Sequence, residues 1–258
     1  MIIESIQNEK IKQLYRLSTK NPERKKRNLV IVEGKQENDR ALQAGYSPEE
    51  YFISPDIYKE KHPSFSPINL VSQKVYEKIA YRGSSEGIIG IYQGKDHSLV
   101  NLSPKQGMSI IIVEGAEKPG NLGAILRSCE AFAIDALIVT DPKVDFYNPN
   151  VIRSSVGCVF GMPTYNCNNQ ELEAFLTENN ISLYTTIMDT DAKMLMERDF
   201  TKSSAVLFGT EHSGISDYWQ NKGHNTIIPM QGTIDSLNLS NAVAITCYEI
   251  LRQKRSQK

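Results

Sequence analysis

MSIIIVEGAEKPGNLGAILRS, residues Met108–Ser128, passes from a strand pattern through a glycine-bearing turn to a helix pattern, the unit from which an α/β sheet is built. Its first part, Met108–Val113, is a short, mainly apolar run that reads as a buried strand. Beyond Gly115 and Gly120 the period changes, and Leu122, Ile125 or Leu126, Cys129 and Ala133 recur at helical spacing. Asn121 is therefore expected to open a helix, with Arg127 between one and two turns further along.

Two later stretches repeat this passage from strand through a polar, glycine-bearing turn. In FGTEHSGIS, residues 208–216, the apolar run Ala205–Phe208 ends at Gly209, and Glu211 sits in a turn closed by Gly214. In IIPMQGTIDSLNLSNAVAITCYEIL, residues 227–251, a short strand and a Gly232 turn lead to Asp235 or Ser236 as N-cap of a long amphipathic helix. Further strands are expected at Ala136–Thr140, Ser182–Ile187 and Thr226–Pro229, with a helix at Gln170–Glu178. Strands alternating with helices make a mainly parallel α/β sheet covered on both faces.

The residues before about 97 carry a second alternation. Helices are expected at Ser5–Ser18, Lys35–Ala44 and Gln73–Ala80, and strands at Leu29–Val32, Tyr51–Ser54 and Ile88–Tyr92, which together describe a small α/β sandwich. The polar stretch HSLVNLSPKQG, His97–Gly107, separates the two patterns. The chain of 258 residues then divides into a domain 1–97, a linker 98–107 and a domain 108–258. No internal repeat is visible.

Composition narrows the function. No apolar run is long enough to span a bilayer, and MIIESIQNEKIKQLYRL is charged throughout, without the apolar region of an export signal, so a cytoplasmic protein is expected. Cysteines 129, 158, 167 and 247 show no metal-type pairing and read as reduced core residues. Histidines 62, 97 and 224 form no constellation with other ligands, and no metal is expected; His212, beside Glu211, is given no role. A net charge of -1 conceals segregation: between Lys10 and Arg27 eight basic residues, including Lys25, Lys26 and Arg27, face the single acid Glu23. Arg252, Lys254, Arg255 and Lys258 follow the last acid, Glu249. Such clusters can neutralise RNA phosphates, although an isolated basic run is more often a solvated helix and loop.

The strings N-L-G-A-I-L-R, G-T-E-H-S-G-I and I-P-M-Q-G-T-I-D-S-L-N-L-S, with YNPNVIRSSVGCVFGMP at 147–163 between the first two, resemble the motifs of the SpoU/TrmH-type RNA ribose methyltransferases, a branch of the SPOUT superfamily. None is specific alone; their joint occurrence in this order over half the chain carries the resemblance. NLVIVEGKQENDRAL and SEGIIGIYQG, more loosely, look similar to the family's substrate-binding domain, whose fold is like that of ribosomal protein L30e. The resemblance implies a deep trefoil knot in the C-terminal domain, S-adenosyl-L-methionine as cofactor, transfer to a ribose 2′-hydroxyl, and a homodimer paired through the knotted domain. It assigns catalysis to Asn121, Arg127, Glu211, Ser236 and Asn238, and the cofactor to Gly209, Glu211, Gly214, Ile228, Met230 and Leu237. Arg153 and Ser154 are placed toward RNA, and the turn RGSSEG, 82–87, can approach its backbone.

Taken singly these residues have plainer readings: Asn121 and Ser236 as caps, Arg127 as an exposed helix residue, the apolar ones as core. Capping explains Asn238 poorly. A Rossmann-type methyltransferase would show a G-x-G-rich turn after the first strand, and a P-loop would show G-K-[ST]; neither is present. The rivals that remain are a catalytically inactive RNA-binding module and a tRNA rather than ribosomal RNA substrate. The last helix carries Leu239, Val243, Cys247 and Ile250 on one stripe and Ala242, Ile245 and Tyr248 off it, more apolar girth than a one-sided helix requires.

Overall fold

The computed structural model describes residues 2–63, 67–81, 86–189, 191–210 and 213–256. Two compact units make up the chain: residues 1–95 with 145–161, and residues 96–144 with 162–258. This departs from a single cut in a linker at 98–107, because the segment 145–161 belongs to the first unit.

The first unit begins with β1 (Ile2–Ile3), α1 (Glu9–Thr19), α2 (Asn21–Arg27), β2 (Leu29–Glu33), α3 (Lys35–Gln43), β3 (Pro48–Ile53), β4 (Ile68–Val71), α4 (Gln73–Ile79) and β5 (Ile88–Gln93). Its five strands lie in the order β1-β4-β3-β5-β2, with β5 antiparallel to both β2 and β3 and the rest parallel. Ile11, Leu14 and Leu17 form one face of α1 and pack with Leu29, Ile31, Phe52, Val75 and Ile89. The helix starts four residues later than Ser5. Ser5 Oγ accepts from the Gln7 amide at 3.1 Å in a turn, and Asn8 caps α1 by accepting from the Lys10 amide at 3.0 Å.

The basic run also differs from a helix followed by a loop. Pro22 lies in the first turn of a second helix, α2, which ends at Asn28 in the left-handed region, φ 50°. That turn buries Arg24, which donates to the Leu17 carbonyl at 2.8 Å and stands 3.5 Å from Asp145. Arg24 is thus withdrawn from the basic surface, while Lys25, Lys26 and Arg27 remain exposed.

The chain continues through β6 (Ser109–Glu114), α5 (Pro119–Ala131) and β7 (Ala136–Thr140), then α6 (Pro149–Ser154) and α7 (Cys158–Gly161) of the first unit. It returns with β8 (Thr164–Cys167), α8 (Asn169–Glu178), β9 (Ser182–Thr186), β10 (Lys193–Met194), β11 (Ser204–Phe208), β12 (His224–Ile227) and α9 (Leu239–Arg255). Seven parallel strands run in the order β10-β12-β9-β11-β6-β7-β8. The central strands β6, β7 and β11 are buried throughout, as their unbroken apolar runs require.

Helix boundaries near the motifs shift. Helix α5 starts at Pro119 with Lys118 as its cap residue, so Asn121 lies inside the first turn rather than opening it. Leu122, Ile125, Leu126 and Cys129 are buried as expected, but Ala133 has left the helix at φ 54°. Helix α9 is capped by Asn238, whose Oδ1 accepts from the Ser240 amide at 2.9 Å, and by neither Asp235 nor Ser236. The polar strand β8 carries no apolar run, and β1 and β10 are only two residues long, so none of the three shows in the sequence pattern. All four cysteines are free and buried. A hydrogen bond with Cys247, then burial, pushes the Cys129 thiol well above its ordinary pKa. Among the described residues no helix is long and apolar enough to cross a membrane.

Candidate functional site

A cleft of about 540 Å³ opens in the second unit where β9, β11 and β12 end. Because these strands are parallel, their carboxyl ends share one edge of the sheet, the edge at which open α/β sheets take ligands. Its walls come from Ile187 and Met188 after β9, Gly209, Thr210, Ser213, Gly214 and Ile215 after β11, Ile228 and Met230 after β12, and Ser236, Leu237, Leu239 and Ala242 at the start of α9. Gly209, Gly214, Ile228, Met230 and Leu237, expected at the cofactor, thus come together with Ser236 on one surface. Glu211, His212 and four residues of the RGSSEG turn, 82–85, lie outside the described residues.

The turn after β11 closes on itself. Thr210 and Gly214 exchange backbone hydrogen bonds, N to O at 2.9 and 3.1 Å, and the Ser213 amide donates to Thr210 Oγ1 at 3.0 Å. Its two glycines are needed for different reasons. A Cβ on Gly209 would stand 1.9 Å from the Gly214 carbonyl carbon and 2.2 Å from the Ile215 nitrogen, so this glycine admits the turn's own backbone. Gly214 has open space around it but adopts φ +67°, which side chains rarely do.

Asn121 lines a narrow crevice of about 20 Å³ with Glu114, Lys118, Thr210 and Leu239, and Thr210 and Leu239 also border the cleft. Asn238 reaches the same place: its Nδ2 lies 3.4 Å from Asn121 Oδ1, while its Oδ1 accepts from both Ser240 N and Ser240 Oγ. Capping therefore explains Asn238 well, and the cap leaves its amide nitrogen turned to Asn121. Arg127 is not brought to the cleft. It stands exposed on α5 and makes no hydrogen bond or ion pair with the described residues. Six residues at about 100° each leave it about 120° around the helix from Asn121.

Pattern reading missed Glu114, buried at the end of β6. Its Oε2 accepts from the Ser216 amide at 2.8 Å, and its Oε1 from Ser216 Oγ at 2.6 Å and from Asn169 Nδ2 at 3.3 Å. The signal available in the sequence was an acid directly after a fully apolar strand. Of the residues placed toward RNA, Arg153 lies 3.9 Å from Glu33, and the Ser154 hydroxyl donates to its own helix at Asn150 O. Both belong to the first unit, where Arg153 borders a cavity of about 310 Å³ with Glu33, Glu37 and Ile152. Burial raises the Glu37 carboxyl above its usual range. No group of three or more metal-ligating side chains occurs among the described residues.

The family model described as the SpoU rRNA Methylase family matches residues 108–248, and one described as the MRM3-like substrate binding domain matches residues 8–90. A relative from Bacillus subtilis, the 23S rRNA (guanosine(2553)-2′-O)-methyltransferase RlmP, is 26% identical over 96% of this chain and 98% of its own. A crystal structure of an RNA 2′-O ribose methyltransferase superposes with a TM-score of 0.85 at 32% identity, covering 99% of this chain and 100% of that one. The SpoU methyltransferase AviRb from Streptomyces viridochromogenes, solved in complex with AdoMet, shares the fold at a TM-score of 0.86 and 22% identity, over 97% of this chain and 99% of its own.

Proposed function

Because the chain belongs to the SpoU rRNA methylase family, we propose that it methylates a ribose 2′-hydroxyl of RNA, ribosomal RNA first, with S-adenosylmethionine as donor. One observation carries the reading: three motifs separated along the sequence converge on one cleft and its adjoining crevice at the carboxyl ends of parallel strands. The cleft suits the cofactor. Its volume falls within the range of about 300–1,000 Å³ usual for small-molecule sites, and Ile187, Ile215, Ile228, Met230 and Leu237 offer apolar walls to a flat ring. When bound, S-adenosylmethionine supplies an already activated methyl group.

The task left to the protein is to position the ribose oxygen and to stabilise the charge it acquires as its proton leaves. Asn121, oriented by Asn238, is assigned to hold the ribose or its phosphate. Arg127 is assigned to the developing oxyanion, since a guanidinium stays protonated and stabilises charge rather than accepting a proton. Ser236 and Glu211 are assigned to orient polar groups around the cofactor. Arg127 lies outside the cleft lining of its own chain, which favours a site completed by a second copy.

A homodimer is supported further by α9, on which Ile245 and Tyr248 are 42% and 57% exposed, with Phe132 edge-on to Tyr248 at 6.0 Å. The expected trefoil knot belongs to the same reading. It is supported by β11, which is inserted between β9 and the much earlier β6, and by the turn after it. The first unit is assigned to RNA, through the exposed Lys25, Lys26 and Arg27 and through Arg153 and Ser154, in the cytoplasm. Preference for ribosomal RNA is supported by the Bacillus subtilis relative, which matches along nearly its whole length.

The test is transfer of labelled methyl from S-adenosylmethionine to ribosomal RNA and to tRNA, followed by digestion and separation of 2′-O-methylnucleosides. Arg127→Ala is expected to lose about 10²–10³ in turnover while cofactor affinity holds, as for loss of one charge-stabilising donor. Full turnover in that variant would remove Arg127 from the site. Cofactor and RNA binding without any labelled ribose in the wild type would favour an inactive RNA-binding module.

A further inference from the structure

We propose that Glu114 is a positioning residue for the cleft: its buried carboxylate latches the turn after β11 to the end of β6, and so sets cofactor affinity. The inference rests on the reading of the cleft as a cofactor site. Glu114 is 6% exposed and takes hydrogen bonds from three groups, the Ser216 amide, the Ser216 hydroxyl and the Asn169 side chain. Ser216 directly follows Ile215, the last residue of the turn that walls the cleft. Asn169, the first residue of α8, is itself held through Oδ1, which accepts from Trp219 Nε1 at 3.1 Å.

The latch thus joins β6, α8 and both ends of the segment Ser216–Trp219. Thr210 and Gly214 meanwhile exchange backbone hydrogen bonds, so the turn is fastened within itself by one device and to the sheet by the other.

Donor and acceptor accounting shows why a carboxylate is required. All three partners donate, and a carboxylate is the acceptor-only side chain of this length. In Glu114→Gln one oxygen becomes an NH₂ group. If it replaces Oε2 it faces the Ser216 amide, donor against donor. If it replaces Oε1, the Ser216 hydroxyl can turn to accept, but Asn169 Nδ2 then faces a donor, and Asn169 cannot flip without abandoning Trp219. Either way the latch loses a bond to a charged acceptor, and the turn gains freedom to leave the geometry that forms the cleft wall. A binding-competent fraction lowered tenfold raises the apparent dissociation constant by the same factor.

The experiment has two parts, both on the full chain. Hydrogen exchange without cofactor examines the latch itself: the Ser216 amide is expected to be protected in the wild type and to exchange at least about tenfold faster in Glu114→Gln. Titration with S-adenosylmethionine and steady-state methylation examine its consequence. The dissociation constant and KM for the cofactor are expected to rise about tenfold in Glu114→Gln, with kcat at saturation within about threefold, because Asn121 and Arg127 are carried by α5. Ser216→Ala should weaken binding in the same direction, Ser216→Thr should retain affinity through its hydroxyl, and the double variant Glu114→Gln with Ser216→Ala should be less than additive. Leu172→Ala, a core truncation in α8 of the same unit, lowers stability and should leave KM unchanged. Unchanged Ser216 exchange, or a kcat loss without a KM change, overturns the latch. A wild type that protects Ser216 yet binds no S-adenosylmethionine overturns the cofactor reading and removes the latch's role in catalysis.

Discussion

Replacing Gly209 by alanine tests the geometry of the turn most sharply. The added Cβ would lie 1.9 Å from the Gly214 carbonyl carbon, 2.0 Å from its oxygen and 2.2 Å from the Ile215 nitrogen. All three are backbone atoms, so no rotamer change relieves the collision. Ile215 cannot retreat, being 9% exposed and packed in the core with Leu207 and Trp219. The turn must open instead, breaking both backbone bonds between Thr210 and Gly214. At a net value of about 0.5–1.5 kcal/mol each, their loss costs about 1–3 kcal/mol, the same range as overpacking elsewhere. If that cost is carried by the closed turn, cofactor affinity should fall about 5- to 150-fold. Gly214→Ala meets no neighbouring atom within 4 Å and bears only the left-handed penalty at φ +67°. That penalty, about 1 kcal/mol, predicts a loss of about fivefold. Calorimetric titration with S-adenosylmethionine, with thermal unfolding recorded in parallel, separates the two variants. Binding by Gly209→Ala within twofold of the wild type, or a larger loss from Gly214→Ala, would show that the closed turn does not set the affinity of the cleft.

Four further outcomes are expected. Changing Lys25, Lys26 and Arg27 to glutamine should weaken RNA binding and flatten its salt dependence by roughly 0.7–0.9 in slope for each phosphate no longer neutralised, measured by filter binding over a salt series. Arg24→Ala should leave that slope unchanged and lower stability by about 3–5 kcal/mol in denaturant titration, since it leaves Asp145 without its buried partner. Ile245→Lys with Tyr248→Lys should convert a dimer to monomers in sedimentation while circular dichroism keeps the native helix content, as both side chains are exposed in the single chain. The native thiols should resist aromatic disulfide reagents, and raising the pH to about 9, past the ordinary cysteine pKa, should not release Cys129, whose raised pKa keeps it protonated there. Rapid labelling of Cys129 at that pH would contradict its burial with Cys247.

How much could be read beforehand follows from what each signal physically is. Continuous apolar runs mark strands that neighbours cover on both faces, so Ala136–Thr140 and the strand around Ala205–Phe208 were legible nearly to the residue. Caps were not, because a cap is a hydrogen bond and several polar residues can make it. Asp235, Ser236 and Asn238 all fit the composition of an N-cap, and only in the folded chain is it Asn238 that bonds the Ser240 amide. The site was visible as motifs, but the latch was not. Glu114 and Ser216 are 102 residues apart, and no local period connects them. Arg24 illustrates the reverse error: charge counting treats eight basic residues alike, whereas one of them is folded inward by the turn between α1 and α2.

The register of the sheet explains why three distant turns make one cleft. Phe208 pairs with Val113, Leu207 with Thr185, and Thr186 with Thr226, so β6, β9, β11 and β12 end within about one residue of a common level. Parallel pairing alone would put their ends on one edge; this register also brings them to one height. A shift of one residue would move Gly209 by about 3.3 Å and turn every β11 side chain to the opposite face. The apolar faces of β11 therefore hold the position of the turn that follows. Gly209 then needs no side chain to be placed, because Phe208 before it and Ile215 after it are both fixed in the core. Stability and site geometry are here set by the same contacts, which is why glycine, a residue that packs nothing, can mark the cleft.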